Sequence, residues 1–285
     1  MIPEPHPEHL PFLRAIVANP QDDLVRLVYA DFLEESGDPN QIARAHYIRA
    51  QIEIENLPTG TPEFVETSAL LARIEDMFMD QFQLELPVDL VEYYTIAYRR
   101  GFLDSVRLPI DEFQLIGKRL FDAYPILGLH INQPVSMLMG LETNDWFDRY
   151  PFIARLTSLG FGQNFYFLAQ YDRRIGEVES GETLFFQNLM TTRNLAQLRS
   201  LNLSSNRITD DWLVRFVSRL ERASFADSLR ELNFTDCLLI TNAGANTLAT
   251  ARSLEQLEIL NLKNIQFSNA TRDMLRRRFG HRVVF

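Results

Sequence analysis

The sequence contains a single cysteine, Cys237, among its 285 residues. One cysteine cannot form a disulfide within its own chain, which excludes the disulfide frameworks that hold small secreted domains together. No run approaches the about 18 consecutive apolar residues that a transmembrane helix requires. The first residues also lack the basic segment and apolar stretch of a secretory signal peptide. These absences predict a soluble, cytoplasmic protein with no membrane partner.

Basic residues are scarce at the N-terminus. Residues 1–95 contain 18 Asp and Glu against 5 Lys and Arg, whereas residues 96–285 contain 20 acidic against 23 basic residues. The net charge of −10 therefore divides into −13 for the first segment and +3 for the second. Because an acidic segment repels phosphate backbones, nucleic acid is not the expected partner.

The acidic N-terminal segment has the pattern of a helical bundle. Asn19-Pro20, Gly37-Asp38-Pro39 and the loop 58–62 interrupt apolar runs with helical spacing. The pattern predicts an all-α helical domain over residues 1–95. Its predicted helices cover residues 8–18, about 22–36, 41–56 and 63–85.

Two adjoining motifs in this segment carry a resemblance to a known family. They are Arg26-Leu27-Val28-Tyr29-Ala30-Asp31-Phe32-Leu33-Glu34-Glu35-Ser36-Gly37-Asp38-Pro39 and Ala45-His46-Tyr47-Ile48-Arg49-Ala50-Gln51. Together they resemble the bacterial repeat-companion domain, a short helical segment that precedes leucine-rich or other repeats. The match covers roughly the first 55 residues. The resemblance implies repeats further along the chain, and it implies no catalytic activity.

The rest of the chain contains an internal repeat, whose clearest copy is Leu198-x-x-Leu201-x-Leu203-x-x-Asn206-x-Ile208. Leu201 and Leu203 alternate as on a short strand with one buried face. Copies with the same offsets follow at Leu229, Leu232, Phe234, Cys237 and at Leu257, Leu260, Leu262, Ile265. Weaker copies precede it at Leu156, Leu159, Phe161, Asn164, at Ile126, Leu129, Ile131, and at Leu103, Val106, Leu108.

Helical segments separate these strands, as in residues 210–220, where Leu213, Phe216, Val217 and Leu220 share one face. A strand and a helix in 28 to 31 residues resemble the ribonuclease-inhibitor-like leucine-rich repeats. The resemblance implies an α/β fold over residues 96–285: a short leucine-rich-repeat solenoid with parallel strands inside and helices outside. The polar stretch 171–181 is predicted to be an insertion, and residues 274–285 a capping helix and strand.

Strand residues between the buried positions are expected to line the concave face, with Asn202, Asn233 and Asn261 stacked in one row. This face is a predicted partner-binding surface, although its residues are equally consistent with solvated strand positions and a stabilising asparagine ladder. Asn164 and Asn206 are predicted to bond loop backbone. The candidate binding residues are Arg107, His130, Gly160, Ser200, Asn202, Ser204, Glu231, Asn233, Thr235, Ile259, Asn261 and Lys263.

Few residues suggest a catalytic or metal-binding site. His6-Pro7-Glu8-His9 holds two imidazoles, too few for a metal site, and Cys237 is expected to be a buried thiol. We therefore predict a non-catalytic protein-interaction module with no cofactor or metal. Two alternatives are a scaffold subunit of a larger bacterial complex and an enzyme with a pocket near Trp146 or Tyr150, within residues 86–152. The sequence predicts neither the partner nor the oligomeric state.

Overall fold

A computed structural model describes residues 6–83, 96–132, 145–163, 165, 171–172, 177–178 and 184–285. The chain is mixed α/β, with nine α-helices and a mainly parallel set of strands within those ranges. No helix in the described part is long and apolar enough to cross a membrane. Contacts divide the chain into two units, Met1–Leu108 with Arg119–Leu127 and Pro109–Lys118 with Gly128–Phe285.

The first unit begins with four helices, as predicted: α1 (Leu10–Ala18), α2 (Asp23–Glu35), α3 (Pro39–Asn56) and α4 (Pro62–Gln83). Aspartate side chains cap the N-termini of α2 and α3. Asp22 accepts a hydrogen bond from the backbone N–H of Leu24 at 2.9 Å, and Asp38 accepts from Asn40 at 2.7 Å. The predicted end of the fourth helix, at residue 85, lies outside the described residues.

The core of this unit is built from apolar residues of α1, α2 and α3 together with Phe102 of β2. Phe12 and Phe32 pack against it, with ring centroids 4.8 Å apart, as expected for core residues. Its buried members are Ile16, Tyr29, Ala30, Leu33, Ala45, Ile48, Ile52 and Phe102.

A β-hairpin completes the described part of the first unit, and the sequence pattern did not predict it. Strand β1 (Ile96–Arg99) pairs antiparallel with β2 (Phe102–Pro109) around the turn Arg100-Gly101. Both turn residues have positive φ, 51° and 81°, as two-residue hairpin turns of type I′ require. Leu103, Val106 and Leu108 are buried as expected. Their assignment to an early repeat stays a prediction.

Helix α3 holds the hairpin turn through two polar side chains. Gln51 Oε1 accepts the backbone N–H of Gly101 at 2.6 Å. Glu55 accepts from Arg99 Nε at 2.6 Å and from Arg100 Nε at 3.0 Å. Burial alone would raise the pKa of Glu55, but the hydrogen bonds from the two arginines outweigh it and lower that pKa.

Further polar residues of the segments 26–39 and 45–51, which we call the companion motif, also bond within this unit. Arg49 donates to Asp31 at 2.6 Å and contacts Glu34 at 2.8 Å. The hydrogen bond from Arg49 lowers the pKa of Glu34. Arg26 is 2% exposed, with its guanidinium 5.6 Å from the centre of the Phe102 ring, and burial lowers its pKa to about 10. The motif thus encodes contacts that build the unit.

Replacing Gly101 with alanine should destabilise the first unit more than the same change at Gly60. Both glycines have positive φ, but a Cβ at Gly101 would lie 2.9 Å from Ile48 Cα, whereas Gly60 has open space around it. We expect a loss of about 1 kcal/mol for Gly60→Ala. Gly101→Ala should lose about 2 to 4 kcal/mol, measured by urea unfolding. Equal losses would contradict the close packing of the turn on α3.

In the second unit six strands pair in parallel with one another, in the order in which they follow along the chain. Leu201 is opposite both Leu159 and Leu232, and Leu232 is opposite Leu260. The prediction that Leu198, Leu229 and Leu257 begin equivalent parallel strands is confirmed. The strands are β3 (Gly128–Asn132), β4 (Ser158–Phe161), β7 (Ser200–Asn202), β8 (Glu231–Asn233), β9 (Ile259–Asn261) and β10 (Val283–Val284).

Helices alternate with these strands. In the helix Asp210–Leu220, Leu213, Phe216 and Leu220 are buried, as their spacing predicted. This alternation is compatible with a repeat fold. The helices are α5 (Ile110–Ala123), which contributes to both units, α6 (Leu184–Thr191), α7 (Asp210–Leu220), α8 (Asn242–Thr250) and α9 (Asn269–Phe279). Helix α9 and strand β10 confirm the predicted C-terminal helix and strand.

The predicted polar insertion is only partly described. It contributes two short strands, β5 (Tyr171–Asp172) and β6 (Glu177–Val178), which pair antiparallel with each other. Residues 173–176 and 179–183 lie outside the described part of the chain.

The turns that follow β7, β8 and β9 repeat one backbone conformation. Ser205, Asp236 and Asn264 occupy the left-handed region, with φ of 57°, 59° and 65°, each four residues after a buried strand leucine. Such angles are uncommon for residues other than glycine, and Asn and Asp tolerate them best. The common turn sets the direction in which the chain leaves each strand.

Asn206 and Cys237 fill the same place in successive turns. Asn206 is buried and accepts the backbone N–H of Phe165 at 2.7 Å, while its NH2 group donates to the Ser204 carbonyl at 2.9 Å. Cys237 donates its thiol to the carbonyl of Leu203 at 3.2 Å, and burial raises its pKa to about 12. Both predicted structural roles are confirmed, while Asn164 lies outside the described residues.

Asn206→Ala should destabilise the chain by about 2 to 4 kcal/mol, because the buried N–H of Phe165 would lose its acceptor. The measurement is thermal or urea unfolding. Asn246→Ala is the control, since Asn246 is exposed on α8 and its side chain makes no hydrogen bond to the described residues. A loss for Asn206→Ala no larger than that of the control would contradict the structural role of this side chain.

Candidate functional site

The candidate site is the face of the parallel strands opposite the buried leucines. We call it the open strip, formed by His130, Ser200, Asn202, Ser204, Glu231, Asn233, Thr235, Asn261 and Lys263. The strand register places His130, Gly160, Asn202, Asn233 and Asn261 in one row across five strands. Ser200, Glu231 and Ile259 form a second row beside it. Ser204, Thr235 and Lys263 each stand two residues after the end of a strand.

The structure places one further predicted site residue, Arg107, on β2 of the first unit, where its side chain is exposed. Its place among the binding residues stays a prediction.

The three asparagines of the central row make the same hydrogen bond. Each Oδ1 accepts the backbone N–H two residues later: Asn202 from Ser204 at 3.0 Å, Asn233 from Thr235 at 2.9 Å, and Asn261 from Lys263 at 3.2 Å. Because a backbone N–H can donate only to the oxygen, each carboxamide has one defined orientation. Their NH2 groups make no hydrogen bond within the described part of the chain.

Two glycines, Gly160 on β4 and Gly162 just after it, stand where neighbouring strands carry side chains. A Cβ at Gly160 would meet His130 Nδ1 and would lie 3.3 Å from Asn202 Cβ. A Cβ at Gly162 would lie 2.6 Å from Asn132 Oδ1. The side chains of His130 and Asn132 thus occupy the space that the glycines leave. Sequence reasoning missed Asn132, and the sequence signal for this packing is the pair of glycines two residues apart, Gly160 and Gly162.

The two charged side chains of the open strip, Glu231 and Lys263, stand outside its central row. Glu231 and Lys263 are exposed and of opposite sign, whereas the central row is uncharged apart from the titratable His130. Ile259 adds an apolar group that is 41% exposed. The face therefore offers hydrogen-bonding groups rather than a strong field of one sign.

The alternative site near Trp146 lies in an aromatic cluster. Trp146 is fully buried, with ring centroids 5.3 Å from Phe113, 4.8 Å from Phe147 and 5.4 Å from Phe185. Tyr150 is 5.1 Å from Trp146 by the same measure, and burial raises its pKa. Within the described part of the chain, these four rings pack around the indole.

A separate cavity of about 510 Å³ lies in the first unit beside the two histidines of the N-terminal motif. His9 Nδ1 is 2.8 Å from the Tyr29 hydroxyl, and His6 Nδ1 is 3.8 Å from Glu8. No group of three or more His, Cys, Asp or Glu within the described ranges is arranged to hold a metal ion. The cavity is lined by His6, Glu8, His9, Phe32, Glu35, Ser36 and Gln41.

Comparison with known proteins gives no family assignment. No family model matches the chain, and no curated protein matches it. Among solved structures, it is similar to a Bacteroides fragilis protein determined as a structural genomics target, at 14% identity and a TM-score of 0.37. The match covers 56% of this chain and 41% of that protein. A likeness of this size supports no conclusion about fold or function.

Gly160→Ala should move the His130 ring, because the new Cβ needs the space of the imidazole. Stability should stay within about 1 kcal/mol, because the imidazole is the far end of a side chain that can rotate away. The ring resonances of His130 should shift in carbon–proton NMR spectra. Asn246→Ala on α8 is the control, since Asn246 is exposed and lies outside the open strip. Unchanged His130 resonances in Gly160→Ala would contradict the contact.

Proposed function

We propose that this chain is a non-catalytic protein-binding module whose second unit is a short leucine-rich-repeat solenoid of bacterial type. The first unit is its repeat-companion domain. The observation that carries the proposal is the open strip, a row of hydrogen-bonding side chains on strands in continuous parallel register.

The repeat geometry supports the solenoid. Leu198, Leu229 and Leu257 stand 31 and 28 residues apart, and all three are buried. Between them come a three-residue strand, a left-handed turn residue and a helix in the same order. Units of this size cannot bury their apolar face alone, so they gain a core by stacking on their neighbours.

The open strip supports recognition of a partner protein. Its residues project from strands whose backbone is fixed by pairing on both sides, as at β8 between β7 and β9. A rigid, extended face of this kind suits an extended contact with another polypeptide, for which repeat proteins use their strand surfaces. Half-exposed Asn202 and Asn233 lie in its central row.

The companion motif supports a structural role for the first unit. Its Arg49 and Gln51 bond to groups of the same unit, to Asp31 and to the backbone of Gly101. The buried thiol of Cys237 needs no oxidising compartment, which is compatible with the cytoplasmic location that we propose.

The test is site-specific photocrosslinking in lysate of the source cell. A benzophenone amino acid at exposed Glu231 samples the open strip, and the same group at exposed Asn246 samples α8. We expect a discrete protein adduct from position 231 and none from position 246. The adduct should disappear when Asn202→Arg and Asn233→Arg are added, because two bulky cations would occupy the central row.

Circular dichroism and urea unfolding must show that the double arginine variant is folded. An adduct from position 231 that survives both arginines would contradict binding through the strip. So would equal labelling from position 246.

A further inference from the structure

The central row of the open strip offers hydrogen-bond donors in a fixed direction. In Asn202, Asn233 and Asn261 the oxygen is used by the backbone N–H two residues later. Rotating a carboxamide by half a turn would place its NH2 group against that N–H, which is unfavourable because both groups are donors. Each half-exposed side chain therefore keeps its NH2 group for a partner.

The donors are also evenly placed. Asn202 is opposite Asn233, and Asn233 is opposite Asn261, on adjacent parallel strands. Neighbouring strands in a sheet lie about 4.8 Å apart, so the row presents three donor groups at about that spacing. A partner that satisfies the row must supply several acceptors along one line.

The charges on the open strip indicate which kind of acceptor the central row binds. Carboxylates and phosphates are bound best by the paired N–H groups of arginine or by lysine. No arginine stands in the central row, and the open strip carries one lysine, Lys263, and one glutamate, Glu231, so it has no excess of positive charge. The side chains two residues before and after Asn202, those of Ser200 and Ser204, are uncharged hydroxyls. An uncharged acceptor thus matches this row better than an anion.

We propose that the open strip binds a polypeptide segment rich in uncharged acceptors, namely the amide, hydroxyl and main-chain oxygens of an Asn-, Gln-, Ser- and Thr-rich stretch. The NH2 groups of Asn202, Asn233 and Asn261 are its donors. This assignment rests on the proposed protein-binding function and specifies the chemistry of the partner.

The decisive variant is Asn233→Asp. An aspartate keeps an oxygen that accepts the N–H of Thr235, but it replaces the donating NH2 group with an accepting oxygen. Asn246→Asp on α8 is the matched control, with the same change of atoms and charge away from the strip. Asn202→Asp repeats the test at a second position if Asn233→Asp proves unstable.

Synthetic twelve-residue peptides serve as probes, in an uncharged set of Asn, Gln, Ser and Thr, a set with added Glu and a set with added Lys. Maltohexaose is included as an uncharged glycan. Binding is followed by fluorescence anisotropy of labelled peptides and by the side-chain NH2 resonances of the three asparagines. We expect the uncharged set to shift all three resonances and to bind roughly tenfold more weakly to Asn233→Asp, with Asn246→Asp unchanged.

The assignment is overturned if peptides with Glu or Lys bind more tightly than the uncharged set, or if Asn233→Asp binds as the original chain does. Shifts caused by maltohexaose but by none of the peptides would also overturn it. A crosslink from position 231 together with failure of the uncharged peptides would leave protein binding standing and refute only the proposed partner chemistry.

Discussion

The second unit depends on hydrogen bonds that no single strand can make alone. Strands β7, β8 and β9 are three residues long, and each obtains its backbone partners from the next strand along the row. Leu203 N–H donates to Asn233 O, Phe234 N–H to Asn261 O, and Leu262 N–H to Val284 O, each at 2.8 Å. Because unpaired buried N–H groups are costly, this ladder holds the strands in one register. Buried leucines and left-handed turns must then recur at equal offsets.

The same register determines the chemistry of the open strip. Side chains alternate on a strand, so the spacing that buries Leu201 and Leu203 places Asn202 on the opposite face. Its oxygen stabilises the turn by accepting from Ser204, and its NH2 group projects from the strand. The asparagine row was equally consistent with a stabilising ladder and with a binding surface. The geometry makes these roles compatible, since each uses a different atom of the carboxamide.

Sequence reasoning succeeded where burial is local and failed where contacts are distant in the chain. The apolar spacing of Leu213, Phe216 and Leu220 predicted a helix because one turn of helix decides which face is buried. The hairpin around Arg100-Gly101 was missed, because its turn is held by Gln51 and Glu55, about fifty residues earlier. The packing of His130 over Gly160 joins two strands thirty residues apart, and periodicity within either strand contains no sign of it.

The polar residues of the companion motif form contacts that build the first unit. Asp38 caps α3, Arg49 binds Asp31, and Gln51 accepts from the Gly101 backbone, so these polar residues have partners within that unit. A motif whose polar atoms are engaged in this way constrains the fold of its own unit and leaves few groups for recognition. The open strip has the opposite character, because its carboxamides are oriented by the backbone and keep their donors. For this reason we place recognition on the strands and stability in the helices.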